Sequence, residues 1–190
     1  MLSHPLHEEI GTLISEQRFS GCEIKRDPAC TRKHECIGKQ HISLFCVEDP
    51  AKKSRKTKYC DVDLLIAKDR QVKVIVEIEE SNVRPTQVFG KFLASASSTH
   101  YIHGTEIYQM ADEVLFIQIL DNSKLIKGKT SKEAQWLNIE KSIKEIVTTM
   151  GGKIKIADYK LFFGNAAKFR AGESGNGLLG YIDNFLKKGR

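Results

Sequence analysis

Nowhere in the 190 residues does an apolar run approach the roughly 20 needed to cross a bilayer, so a membrane-spanning helix is not expected. The opening MLSHPLHEEIG has neither a basic stretch nor an apolar core, so no secretory signal is read and the chain is assigned to the cytoplasm. No clean Cys-x-x-Cys occurs. The five cysteines, Cys22, Cys30, Cys36, Cys46 and Cys60, are odd in number and lack an export signal, which predicts reduced thiols. Cys30, His34 and Cys36 crowd together in CTRKHEC, but the spacing is poor for zinc, and a structural Zn2+ is not assigned. No internal repeat is apparent, which argues against a solenoid.

What remains is a chain with 41% hydrophobic residues, enough for a sizeable core and most simply one domain over residues 1–170. Residues 171–190 then read as a linker, AGESGNG, and a terminal helix packing on that domain or on a partner. The net charge of +6 favours an anionic partner. Its distribution says more: in KKSRKTK, five of seven residues are cationic, namely Lys52, Lys53, Arg55, Lys56 and Lys58. This run ends where an acid-bearing segment begins, a placement suited to holding a polyanion backbone while one phosphate is worked on.

That segment, YCDVDLLIAKDRQVKVIVEIEE, reads as two strands with acids at alternate positions, Asp61 and Asp63 on the first and Glu77 and Glu79 on the second. Alternation predicts that each acid pair projects to one side, with Val62, Leu64 and Ile66, and Val74, Val76 and Ile78, on the other. Paired as a hairpin through Ala67 to Gln71, the strands bring up to four like charges together, and a divalent cation resolves their repulsion. All-carboxylate ligation suits Mg2+ or Mn2+. The plainer alternative is an exposed hairpin salt-bridged to Lys73. Against it, Val74 to Ile78 is otherwise a buried-strand composition, where an ionised glutamate needs a partner.

Along the chain, periodicity predicts a helix over Pro5 to Phe19, a loop or short hairpin through Gln40, and a strand over His41 to Val47. The acidic hairpin follows, then a helix over Thr86 to Ser97 and an apolar strand over Glu113 to Leu120 that implies a parallel crossover. Thr130-x-x-Glu133 marks the start of a helix reaching Met150 with Leu137 on or near its inner face, and Lys153 to Phe163 reads as a strand. The class is α/β, a mixed central sheet flanked by helices on both faces.

The αβββαβ order, with Asp63 followed by Leu64-Leu65-Ile66 and then Glu77-Ile78-Glu79, resembles the PD-(D/E)xK nuclease superfamily, over roughly Pro5 to Leu120. The resemblance implies a restriction-endonuclease-like core and a Mg2+-dependent DNA endonuclease, type II restriction-like and homodimeric. The alternatives it leaves are a repair or junction nuclease of the same fold, or a nucleic-acid-binding module with weak catalysis. It implies Asp63, or Asp61 in its place, and Glu77 as metal ligands, with Glu9 of the first helix as a further one. The usual motif lysine is replaced by Glu79, so Glu79 or a displaced Lys91 would prepare the attacking water. Gln87, one turn before Lys91, and Arg84, with Asn82, are the implied substrate contacts beside the basic loop.

Overall fold

The computed structural model describes residues 4–31, 41–47, 49–80, 83–125 and 131–188. It is an α/β fold with a mixed eight-stranded sheet flanked by helices. Helix α1 (Pro5–Leu13) starts on a proline, whose missing N–H costs nothing in a first turn, and directs Leu6 and Ile10 into the core. It ends well short of the expected Phe19 because Ile14 turns to extended backbone. The Arg26 guanidinium donates there to the carbonyls of Gly11 and Ile14, at 3.0 and 2.8 Å, satisfying acceptors the helix leaves open.

Strands β1 (Glu23–Arg26), β2 (Ile42–Phe45), β3 (Lys58–Val62), β4 (Leu64–Lys68) and β5 (Gln71–Glu79) precede helix α2 (Pro85–Ala96). Asp69 and Arg70, at φ 52° and 59°, form the two-residue turn between β4 and β5, the left-handed geometry that matches strand twist. After α2 come β6 (His100–His103) and the long β7 (Glu106–Leu120), which pairs parallel with β5 as the crossover required. Strands β6 and β7 form a tight antiparallel hairpin. Helix α3 (Lys132–Met150) and strand β8 (Ile156–Phe163) follow, with β8 parallel to β7. Leu137, expected near the inner face of α3, is 53% exposed, whereas Trp136 is buried and stacks on Phe163. Thr130 lies outside the described residues, as do His34 and Cys36.

Residues 171–177, expected as a linker, hold the start of a helix. Helix α4 (Ala166–Arg170) is followed closely by α5 (Glu173–Lys188), whose Leu178, Leu179 and Ile182 are core residues. Gly175 permits this contact: a Cβ there would lie 2.4 Å from the Phe169 carbonyl oxygen.

The hydrogen-bonded order is β1-β4-β5-β7-β6-β2-β3, with β8 also on β7. Strands β3 and β4 are thus far apart in that order yet separated by one residue, Asp63, so the sheet curls round to meet itself there. One core lies between the sheet and helices α2 and α3, the other between the sheet and helices α1, α4 and α5. In the first, Phe92 packs edge-on to Phe116 and Tyr159, with ring centroids 6.0 and 5.9 Å apart.

Candidate active site

Asp63 occupies the one residue that belongs to neither strand. Val62 faces the core under α2 while Leu64 and Ile66 face the core under α1. The single-face alternation expected for Val62, Leu64 and Ile66 therefore fails, because the chain inserts one residue and changes partner strand at Asp63, as a bulge does. The strand break aims the Asp63 side chain at β5, where Oδ2 accepts from the Ile78 N–H at 2.7 Å. Asp61 separates from it: its carboxylate takes Lys58 at 2.6 Å and the Ser43 hydroxyl at 2.6 Å. Of the two aspartates, Asp63 is the one beside Glu77.

Glu77 is fully buried on β5. Its Oε2 accepts from Lys91 Nζ of α2 at 3.0 Å, and the same ammonium donates to the Asp61 carbonyl at 3.3 Å. Its Oε1 has no hydrogen-bond partner among the described residues. Burial, then the charge of Asp63, pushes the Glu77 carboxyl well above its ordinary range against the pull of Lys91, and a proton on it could be shared with Asp63. Glu79, on the same face of β5, is raised by burial, opposed by Lys91. Burial would also raise Asp63, but His7, the Ile78 N–H and Lys91 together hold it below its ordinary value. Lys91 is shifted upward: burial works against its charge, and the carboxylates of Glu77, Asp63 and Glu79 outweigh it. The result is a buried carboxyl, Glu77, pushed up in pKa beside a half-buried one, Asp63, pushed down, with the Lys91 ammonium against the first.

Helix α1 contributes a residue, but not Glu9. The Glu9 carboxylate, the acid expected as a further ligand, takes the Arg170 guanidinium of α4 at 2.6 and 2.8 Å. His7 is the side chain that reaches in: Nε2 lies 3.6 Å from Asp63 Oδ1, and Nδ1 lies 3.0 Å from Glu80 Oε1. Glu80 Oε1 also accepts from the Leu6 and His7 N–H groups, so the last residue of the acidic segment anchors the first turn of α1. Burial favours neutral His7, yet Asp63 and Glu80 overcome it and raise its pKa. The signal was in the sequence: His7, Ile10 and Ile14 share one helical stripe, which Glu9 does not.

A second residue absent from the sequence reading is Gln118. It is in register with Glu77 on the neighbouring parallel strand and is fully buried. Its Oε1 accepts from the Tyr159 hydroxyl at 2.6 Å, while its Nε2 has no partner among the described residues. A donor and an acceptor, both buried and both open, thus sit on adjacent strands of the same face.

The comparisons are silent. No family model, curated protein or solved structure matches the chain.

The remaining candidates divide. Lys52, Arg55 and Lys56 are exposed on the loop before β3. Lys53 folds back, with Nζ 5.5 Å from the Phe45 ring centroid and 3.4 Å from the Ile102 carbonyl, and Lys58 is committed to Asp61. Arg84 is exposed at the N-cap of α2, and Gln87 accepts from its N–H at 2.9 Å. That bond gives Gln87 a capping role at the start of α2, one turn before Lys91. Asn82 lies outside the described residues.

The donors at the centre are hard carboxylate oxygens, and the open Glu77 Oε1 is what an oxygen-seeking dication such as Mg2+ or Mn2+ requires. The residues therefore fit the metal that the acidic pattern implied. Among the described residues no helix is long and apolar enough to cross a membrane.

Proposed function

We propose that the chain is a Mg2+-dependent endodeoxyribonuclease of the PD-(D/E)xK kind, acting on DNA as a type II restriction-like homodimer. The observation that carries this reading is that Asp63, Glu77 of β5 and Lys91 of α2 come together, with the buried Glu77 Oε1 left without a partner among the described residues. Further support comes from four adjacent strands, β1-β4-β5-β7, with α1 and α2 packed on opposite faces, an αβββαβ order in which β1, and not the expected strand over His41 to Val47, comes first. Strands β2, β3 and β6 then extend that core.

Asp63 and Glu77 would hold the cation, which supplies charge neutralisation at the scissile phosphate and a more acidic bound water. Lys91, kept cationic by its acidic neighbours, holds Glu77 in place and offsets the charge that builds on the phosphate as water adds. Glu79, raised by burial and less enclosed than Glu77, is the better matched base for the attacking water, because a carboxylate shifted towards neutrality accepts a proton more readily. His7 fixes the orientation of Asp63 and is itself oriented by Glu80. Lys52, Arg55 and Lys56 supply phosphate contacts along the backbone, with Arg84 at the helix start.

The test is incubation of the purified protein with supercoiled and long linear DNA in Mg2+, in Mn2+ and in chelator, beside Asp63→Asn and Glu77→Gln. Discrete fragments that require metal and both acids support the reading, and a smear removes the sequence-specific subtype. Equal cutting by wild type and both variants, or intact DNA throughout a range of substrates, overturns it.

A further inference from the structure

We propose that His4, His7 and Glu80 form a second metal site, for a borderline transition-metal dication such as Zn2+, Co2+ or Ni2+. His7 Nδ1 lies 3.0 Å from Glu80 Oε1, and His4 Nδ1 lies 3.8 Å from Glu80 Oε2. One donor atom from each of the three residues falls within a common 4.8 Å. Ligands of a tetrahedral ion with bonds near 2.1 Å are about 3.4 Å apart, so the donors need only small rotations to close on one ion.

The local fold pre-builds this arrangement. His4 and His7 are one helical turn apart at the start of α1, and their rings meet edge to face with centroids 5.3 Å apart. Glu80 is pinned from the other side, because its Oε1 accepts from the Leu6 and His7 N–H groups. That anchoring leaves Oε2 facing His4. The His4 side chain is 45% exposed, which gives an ion a way in from solvent.

Two imidazoles and one carboxylate form a nitrogen-rich donor set that selects Zn2+, Co2+ or Ni2+ over Mg2+ and leaves a coordination position for water. The ion replaces the proton on His7 Nδ1, and that proton leaves to solvent. The remaining Nε2–H then points at Asp63 Oδ1, so a carboxylate, a histidine and the metal fall in line, the arrangement that usually orients a metal-bound histidine. The proposal does not depend on the nuclease reading, since its test reads binding and not cleavage.

Protein free of any histidine tag, stripped with chelator, is titrated with Co2+ by visible absorption and with Zn2+ by calorimetry, beside His4→Ala and Glu80→Gln. His4 makes no side-chain capping bond to α1, so His4→Ala removes a ligand without removing a cap. The expected result is saturable binding of one equivalent, with nitrogen and oxygen ligand-field bands, no thiolate charge-transfer band, and no competition from Mg2+. Each variant should weaken binding by roughly tenfold or more, since loss even of an outer-shell partner costs that much. Unchanged affinity in His4→Ala that retains wild-type circular dichroism, a thiolate band, or no saturable binding in the wild type overturns the site.

Discussion

Replacing Glu77 with glutamine preserves shape while removing a carboxyl whose charged form burial disfavours. Glu77 is fully buried, faces Asp63, and has Lys91 as its one counter-ion among the described residues. Its folded pKa is raised well above the ordinary 4.5, so between those two values the folded chain holds a proton that the unfolded chain has released. Stability from this group is complete below pH 4.5 and is lost as pH rises through the folded value. One such proton gives a slope of up to about 1.4 kcal/mol of lost stability per pH unit. Glu77→Gln removes that slope, keeps an acceptor for Lys91, and presents an amide donor to Asp63. In chelator, the variant should therefore gain on the wild type as pH increases from 5, and each 1 kcal/mol should appear as about 2–4 °C in Tm for a domain of this size. Glu79, Asp63 and His7 titrate in both proteins, so the difference between them reports position 77 together with its coupling to Asp63 and Lys91. Mg2+ should reverse the order by stabilising only the wild type. Urea melts from pH 5 to 8, with and without Mg2+, read the result. A stability gap that does not change with pH, or a variant less stable across the whole range, would refute the argument.

Other substitutions separate the centre from its surroundings. Arg170→Ala breaks the ion pair with Glu9, in which Arg170 is largely exposed; it should cost less than about 1 kcal/mol by thermal melt and leave metal-dependent cleavage unchanged. Gly11→Ala would place a Cβ 1.9 Å from the Cys30 carbonyl oxygen, a backbone atom that cannot step aside, so destabilisation of about 1–3 kcal/mol or more is expected in urea melts. Tyr159→Phe removes the only hydrogen-bond partner that the Gln118 side chain has among the described residues. It should cost about 1–3 kcal/mol, read by the same melts, and wild-type stability would show that Gln118 is satisfied some other way.

The sequence by itself determined the β4–β5 hairpin, the amphipathic α2 after it, the parallel crossover to β7 and the helix-flanked mixed sheet. Each rests on a local rule, strand alternation, helical periodicity or turn chemistry, that acts within a few residues. The same rules made Asp63, Glu77 and Lys91 visible as residues worth singling out. They failed where geometry depends on distant partners. AGESGNG looks flexible in isolation, yet the glycine at 175 lets α5 approach Phe169 closely enough to be helix and core. Glu9 is as plausible a ligand as any acid on α1 until Arg170, contributed by a helix remote in sequence, takes its charge. The tertiary structure alone decided that β3 and β4 part at Asp63, because only the choice of partner strands, β2 for one and β5 for the other, forces the extra residue between them. From that break follows the rest of the site: Asp63 is freed to meet Ile78, His7 reaches it from α1, and Glu77 is left beside it with one oxygen unpartnered among the described residues.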